Sequence, residues 1–141
     1  MGKMRRFRED ITLFLFGGAL YSLIEICFRG FTHWSMTITG GLCFLIMYRH
    51  YSANPEESML AKCLYGTAVI TAFEFAVGCM VNLLLCWNVW DYSAQPFNLF
   101  GQICLMFSAL WFLLSIPAAW LCEAFRRRLD GETREIYGNG T

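Results

Sequence analysis

Charged residues are scarce in this chain, and those present are confined to short clusters. Only 16% of the 141 residues are charged, whereas 57% are hydrophobic and 17% are aromatic. A soluble domain of this size carries about 25% charged and roughly 45–50% apolar residues. Eleven basic and eleven acidic side chains cancel, so no nucleic-acid partner is expected. The composition therefore predicts a protein that resides in a lipid bilayer.

Motifs for nucleotide binding and for catalysis are also lacking. The sequence has no GxxxxGK[ST] phosphate loop, no GxSxG and no HExxH, so it cannot power transport itself by the phosphate-loop route. The seven cysteines form no CxxC pair and lie within or beside apolar runs, so we expect them to pack as small apolar residues. An enzyme is the least favoured class, and no cofactor or metal is expected.

Long uncharged runs are what the sequence has instead. A helix of about 20 apolar residues crosses ~30 Å of hydrocarbon, and such runs cover residues 11–28, 31 or 35–48, 63–87 and 101–122. Helices satisfy their own backbone groups in lipid. The sequence predicts an all-α polytopic membrane protein with four transmembrane helices in residues 11–122. A basic N-terminal segment, residues 1–10, precedes them, and a tail, residues 123–141, follows and is expected to be loose after Asp130. No cleavage site follows the first run, which is therefore expected to stay as a span.

Basic residues indicate the orientation of these helices. Cytoplasmic loops of membrane proteins are enriched in Lys and Arg. Residues 88–100 contain neither, and Arg29 alone borders the first loop on the same side. The opposite side would hold Lys3, Arg5, Arg6, Arg8, Arg49, Lys62, Arg126, Arg127, Arg128 and Arg134. We therefore predict a cell-membrane protein with both termini in the cytoplasm.

A weak repeat relates the two halves of the chain. Gly17 precedes Glu25 by eight residues, and Gly66 precedes Glu74 by the same interval. The second and fourth runs contain the similar segments GGLC, residues 40–43, and GQIC, residues 101–104. Chance and duplication both remain open as explanations. Duplication would give two similar helical hairpins related by an axis along the membrane normal, with the two carboxylates at equivalent positions.

Glu25 and Glu74 are the residues most informative about function. A carboxylate deep in a transmembrane helix costs about 2.5–3.5 kcal/mol on insertion scales and normally faces the bundle interior. It could form a cation or proton site, or contact a polar substrate. The structural alternative is a hydrogen bond or ion pair that fixes helix packing. Arg29 follows Glu25 by four residues and can pair with it, so Glu74 is the better candidate for an ionisable functional group.

Further polar residues are candidates for substrate or ion binding. Asn82 follows Glu74 by eight residues and lies on the same face of its helix, along a small-residue stripe that predicts close packing. Asp91 and Asn98 lie in the loop that Pro96 turns before the fourth run. They are expected to hold that loop over the bundle by side-chain to backbone bonds, or else to contact a ligand. Gln102, at the start of the fourth run, completes the set.

These residues also carry a family resemblance. Glu25 with Arg29, the Gly40-Gly41 pair and Glu74 with Gly78 are accompanied by WDYSAQPFNL, residues 90–99, and GQI, residues 101–103. Over residues 11–122 the chain resembles the ABC-transporter permease family of the CmpB type, which are bacterial multi-pass membrane proteins. The resemblance implies a permease-like component and no catalytic residue. Four spans are few for a complete permease, so a homo-oligomer or other membrane subunits, with a separate ATPase subunit, are expected.

Two hypotheses of function follow. The leading one is a membrane transport component in which Glu74 and Glu25 line a polar interior. The alternative is a non-transporting scaffold or accessory subunit in which both carboxylates only lock the helices together.

Overall fold

Four long helices make up most of the molecule. The computed structural model describes residues 2–138, with side chains described for residues 3–131. The helices are α1 (Gly2–Arg29), α2 (Trp34–Ala53), α3 (Met59–Gly78) and α4 (Leu105–Gly138), and a π-helical turn at Cys79–Leu84 continues α3. The predominantly helical fold predicted from the sequence is confirmed. The loop before α4 adds a feature that the apolar runs do not predict, an antiparallel pairing of β1 (Asn98–Leu99) with β2 (Ile103–Cys104).

Three helices are long and apolar enough to cross a bilayer. Within the described residues these are Lys3–Arg29, Met59–Leu84 and Leu105–Gly131. Their outward faces expose large apolar side chains by more than half, among them Leu15, Leu23, Leu64, Leu113 and Trp120. Water-soluble monomers rarely expose contiguous apolar surface on this scale. The protein therefore crosses the membrane several times.

Helix α2 is the most enclosed element of the bundle. It packs most extensively against α1 and also contacts α3 and α4, while α3 and α4 form the second extensive helix pair. Its buried side includes Ser35, Thr39, Cys43 and Met47. Helix α2 thus lies between the other three helices, and its polar hydroxyls face protein rather than lipid.

Glycines set the spacing between α1 and α2. A Cβ atom at Gly17 would overlap the side chain of Phe44, and one at Gly40 would overlap that of Tyr21. Only residues without a side chain allow the two backbones to approach so closely. The same close approach occurs between α3 and α4 at Gly66, where a Cβ atom would lie 2.5 Å from the Ser115 hydroxyl.

Gly41 provides a test of this packing. An alanine Cβ there would lie 2.6 Å from the backbone carbonyl oxygen of Phe14, and backbone cannot rotate away. We expect Gly41→Ala to lower the free energy of unfolding by about 1–3 kcal/mol, the usual cost of overpacking. Thermal unfolding in detergent micelles measures the effect. Gly131→Ala is the matched control, because no atom lies within 4 Å of that Cβ. Equal melting temperatures for both variants would contradict the packing role.

The C-terminal part of the chain differs from the sequence-based prediction. The segment after Asp130 was expected to be loose, but α4 continues through it to Gly138. Extending an existing helix adds one hydrogen bond for each residue fixed, so a helix already anchored in the bundle continues readily through polar sequence. A pair four residues apart, Glu123 with Arg127, supports the turns of α4 that precede this segment. The prediction is therefore wrong for residues 131–138, and residues 139–141 lie outside the described part of the chain.

Candidate functional site

The carboxylate of Glu74, on α3, accepts hydrogen bonds from side chains of both α1 and α4. The Tyr21 hydroxyl on α1 donates to its Oε1 at 3.4 Å, and the Trp111 indole Nε1 on α4 donates to its Oε2 at 2.8 Å. The Glu74 side chain is only 2% exposed. Among the described residues no basic side chain forms an ion pair with it. Glu74 is thus buried with neutral donors alone, an arrangement in which an ionised carboxylate lacks a compensating charge.

The two donors to Glu74 also contact each other. The rings of Tyr21 and Trp111 stack with their centroids 5.4 Å apart and an interplanar angle of 24°, within the range of favourable aromatic pairs. Trp111 is not among the candidate residues predicted from the sequence. The spacing of Ser108, Trp111 and Ser115 could have indicated it, because residues three and four positions apart form one polar stripe on α4. The hydroxyls of Ser108 and Thr71 lie 3.3 Å apart along this stripe.

Glu25 differs from Glu74 because it has a cationic partner. Arg29 Nη2 donates to Glu25 Oε1 at 2.8 Å, and the Thr32 hydroxyl donates to Oε2 at 2.8 Å. The pair expected from the four-residue spacing is therefore present. Arg29 also donates from Nη1 to the Val89 carbonyl at 2.8 Å, and its guanidinium lies over the ring of Phe31 at 4.7 Å. The ion pair consequently holds the loop before α4 against α1.

A chain of hydrogen bonds continues from this ion pair to the start of α4. Asn82 Oδ1 accepts from the Val89 amide at 2.7 Å, and Asn82 Nδ2 donates to Gln102 Oε1 at 2.8 Å. The Trp90 indole donates to the Gln102 carbonyl at 2.9 Å. Asn82 lies in the π-helical turn, a conformation that is frequent at functional sites. Four of the seven candidates, Glu25, Arg29, Asn82 and Gln102, are thereby joined through Val89.

Asp91 and Asn98 are not part of this network. Asp91 Oδ1 accepts from the Ser93 hydroxyl and, at 2.8 Å, from its backbone amide, and these bonds hold the pKa of the Asp91 carboxyl below its ordinary value. Asn98 donates to the Gln95 carbonyl at 2.8 Å and accepts from the Gly101 amide at 3.0 Å. Both residues are exposed. Their bonds fold the loop upon itself.

Three chambers follow the seam between α1 and α4. The basic chamber, of about 390 Å³, is lined by residues that include Arg5, Arg8, Glu9, Phe125 and Arg128. The apolar chamber, of about 210 Å³, is lined by residues that include Gly17, Ile24, Phe44, Trp111 and Ala118. The aromatic chamber, of about 110 Å³, is lined by residues that include Tyr21, Glu25, Arg29, Tyr92 and Phe107.

Aromatic contacts separate these chambers. Tyr21, Ile24 and Trp111 line both the apolar and the aromatic chamber, so the stacked rings of Tyr21 and Trp111 form part of the wall between them. Phe16 packs against Phe125 of the basic chamber, with centroids 4.9 Å apart, and against Phe44 of the apolar chamber, 5.4 Å apart. Helices α1 and α4 therefore meet through long side chains at two levels, with space between the levels.

Fold and site together define a multi-pass membrane protein with a buried carboxylate in a chambered helix bundle. A family model described as "putative ABC-transporter type IV", of the CmpB type, matches residues 11–138. The chain belongs to this family, as its loop and glycine motifs predict. No curated protein and no solved structure matches the chain.

Proposed function

We propose that this chain is a membrane-embedded transport component in which Glu74 controls the contact between the apolar and aromatic chambers. The observation that supports this most directly is the shared wall. Tyr21 and Trp111 separate the two chambers, and both donate to the one buried carboxylate. A solute that passes along the seam must part these rings. Parting them breaks at least one hydrogen bond to Glu74.

The missing counter-ion gives Glu74 its proposed role. An ionised carboxylate in a low-dielectric bundle gains strongly from a nearby positive charge. A cation, or a proton, that reaches Glu74 competes with the Tyr21 and Trp111 donors for its lone pairs. Occupation of the carboxylate would therefore weaken the wall between the chambers. Glu25 already has Arg29 as its partner, so its role in the proposal is to position the loop and the aromatic chamber.

The proposal places four transmembrane helices in two hairpins in the cell membrane. Helix α2 has 20 residues, which at 1.5 Å per residue gives about 30 Å, one hydrocarbon thickness. The extensive pairing of α1 with α2 and of α3 with α4 supports the two hairpins. An ion pair between Asp10 and Arg49 joins the N-terminal part of α1 to the C-terminal part of α2. These basic ends thus lie together, which supports cytoplasmic termini.

Partner subunits complete the proposal. The chain contains no phosphate loop, and four helices leave a small intramembrane interior. We assign ATP hydrolysis to a separate subunit and the complete pathway to a homo-oligomer or to additional membrane subunits. The seven candidate residues then divide into Glu74 as the controlling group, Glu25, Arg29, Asn82 and Gln102 as its supporting network, and Asp91 and Asn98 as loop residues.

Flux across reconstituted vesicles tests the transport role. The purified protein is placed in vesicles that hold a pH-sensitive dye, and proton and rubidium fluxes are measured. The measurement is repeated with any ATP-hydrolysing subunit that copurifies from membranes. We expect at least one flux to exceed that of empty vesicles, and an ATPase to copurify. The proposal would be overturned if no flux exceeded that of empty vesicles and no ATPase copurified.

One observation favours the alternative of a non-transporting scaffold. All four oxygens of Glu25 and Glu74 accept a hydrogen bond from a described residue. Carboxylates satisfied in this way can serve helix packing alone. In that case Glu74→Gln would leave both the flux and the copurified subunits unchanged.

A further inference from the structure

The basic chamber has a charge pattern that the proposed function does not use. Three arginines, Arg5, Arg8 and Arg128, line it together with one acidic residue, Glu9. Arg5 Nε pairs with Glu9 Oε1 at 2.8 Å, which leaves the positive charges of Arg8 and Arg128 in excess. All three arginines are exposed. The chamber therefore presents several guanidinium donors to an anion at one end of the seam.

The rest of the seam is suited to a hydrocarbon chain. Beyond Phe16 and Phe125 the apolar chamber continues between the same two helices, and its lining is almost entirely apolar. Gly17 follows Arg8 by nine residues, so it lies about 14 Å further along α1 at the helical rise of 1.5 Å per residue. Half of the ~30 Å hydrocarbon thickness is about 15 Å. A chain that starts at the level of Arg8 would thus reach the apolar chamber at mid-membrane.

We propose that an anionic phospholipid binds in the seam between α1 and α4. Its phosphodiester would lie against Arg5, Arg8 and Arg128, whose planar guanidinium groups bind phosphate oxygens in pairs. One acyl chain would follow the seam past the Phe16–Phe125 contact into the apolar chamber. The lipid would thereby fill space that the protein leaves between its own helices.

Charge favours an anionic phospholipid over two other occupants of the seam, a second copy of the chain and a free phosphate. A second copy of the chain that presented the same face would bring its own arginines against these, and like charges at short distance repel. A free phosphate would satisfy the guanidinium groups but would leave the apolar chamber unfilled. Anionic headgroups attract juxtamembrane arginines electrostatically. A zwitterionic lipid lacks this net attraction.

Native mass spectrometry of the protein released from nanodiscs tests the proposal. The nanodiscs contain equal amounts of phosphatidylglycerol and phosphatidylcholine, and the lipids retained on each protomer are counted. We expect retained phosphatidylglycerol on the wild type. In the triple variant Arg5→Gln, Arg8→Gln, Arg128→Gln we expect the preference for phosphatidylglycerol to fall roughly tenfold or more, in line with three lost contacts.

A second triple variant provides the matched control. Arg6→Gln, Arg126→Gln, Arg127→Gln removes the same charge from positions outside the basic chamber and is expected to keep the preference. Equal loss in both triple variants would show a general charge effect and overturn the site. The single variants Arg8→Gln and Arg6→Gln give the same comparison if a triple variant does not fold. If the spectrum shows the mass of a dimer without bound lipid, a second copy of the chain occupies the seam and the proposal is overturned.

The acyl-chain part of the proposal has its own variant. Ala118 lines the apolar chamber, and Ala118→Phe places a ring in the volume assigned to the chain. We expect this variant to retain less phosphatidylglycerol than the wild type, while binding of water-soluble glycerol phosphate is equally weak in both. Unchanged lipid retention in Ala118→Phe, or tight binding of glycerol phosphate to the wild type, would overturn the assignment of a lipid.

Discussion

Replacing Glu74 with glutamine is expected to abolish the flux measured in vesicles while leaving the fold intact. Glutamine has the shape of glutamate, and its carbonyl oxygen can still accept the bond that Trp111 donates to Glu74 at 2.8 Å. Its amide can donate to the Tyr21 hydroxyl, because that hydroxyl is both donor and acceptor. The helix contacts survive, whereas the negative charge that would attract a cation or proton is lost.

Leucine at the same position gives the structural comparison. Glu74→Leu leaves the buried Trp111 N–H and Tyr21 O–H without their acceptor, and each unsatisfied group costs about 1–3 kcal/mol. We therefore expect a lower melting temperature for Glu74→Leu but not for Glu74→Gln. If a well-folded Glu74→Gln variant shows normal flux, the negative charge of Glu74 is not required for transport.

Replacing Arg29 with glutamine is expected to produce the second large effect. Glu25 would keep its bond from Thr32 but would lose the cation that lies 2.8 Å from its Oε1. The Val89 carbonyl would also lose its donor. Breaking a fully buried pair by removing one partner costs about 3–5 kcal/mol. The Arg29 side chain is 26% exposed and that of Glu25 is 11% exposed, so solvent screens the pair, and we expect about 2 kcal/mol.

A double-mutant cycle separates the charge from the other contacts. Thermal unfolding is measured for Arg29→Gln, for Glu25→Gln and for the two together. Because the double variant has no uncompensated carboxylate, we expect it to be more stable than Arg29→Gln alone. Additive effects of the two substitutions would mean that the ion pair contributes nothing beyond the separate hydrogen bonds. Hydrogen exchange of the loop at Val89 reports the loss of the Arg29 contact independently.

Local spacing predicted those parts of the structure that depend on a single helix. Arg29 pairs with Glu25 because residues four apart share a helix face. Gly17 and Gly66 lie at close helix contacts because small residues permit them. Long apolar runs predicted the helices, since lipid leaves few other solutions for the backbone.

Contacts between distant segments could not be predicted in the same way. The bond from Trp111 to Glu74 joins residues 37 positions apart, and nothing in the periodicity of either helix indicates it. The chambers depend on how far α1 and α4 are separated, which is a property of the assembled bundle. Asp91 is a candidate for binding because it lies in the polar loop before the fourth run, where it could hold the loop or contact a ligand. Its actual bonds to Ser93 are local and depend on the conformation of the loop.

The enclosed position of α2 explains a further difference between sequence and structure. Hydropathy measures how well a helix suits lipid, but α2 contacts three other helices and directs Ser35 and Thr39 toward them. Helix α2 is not among the three described helices that are long and apolar enough to cross a bilayer, although its 20 residues reach about 30 Å.

The single carboxylate at the Tyr21–Trp111 wall also limits the stoichiometry of the proposed transport. Tyr21 from α1 donates to one oxygen of Glu74 and Trp111 from α4 donates to the other, so a single monovalent ion or proton would neutralise the one negative charge that strengthens both bonds. Each protomer would then couple one elementary charge to one opening. A larger charge movement per transport cycle would require several protomers to open together. The measured number of charges moved per cycle would then report how many protomers do so.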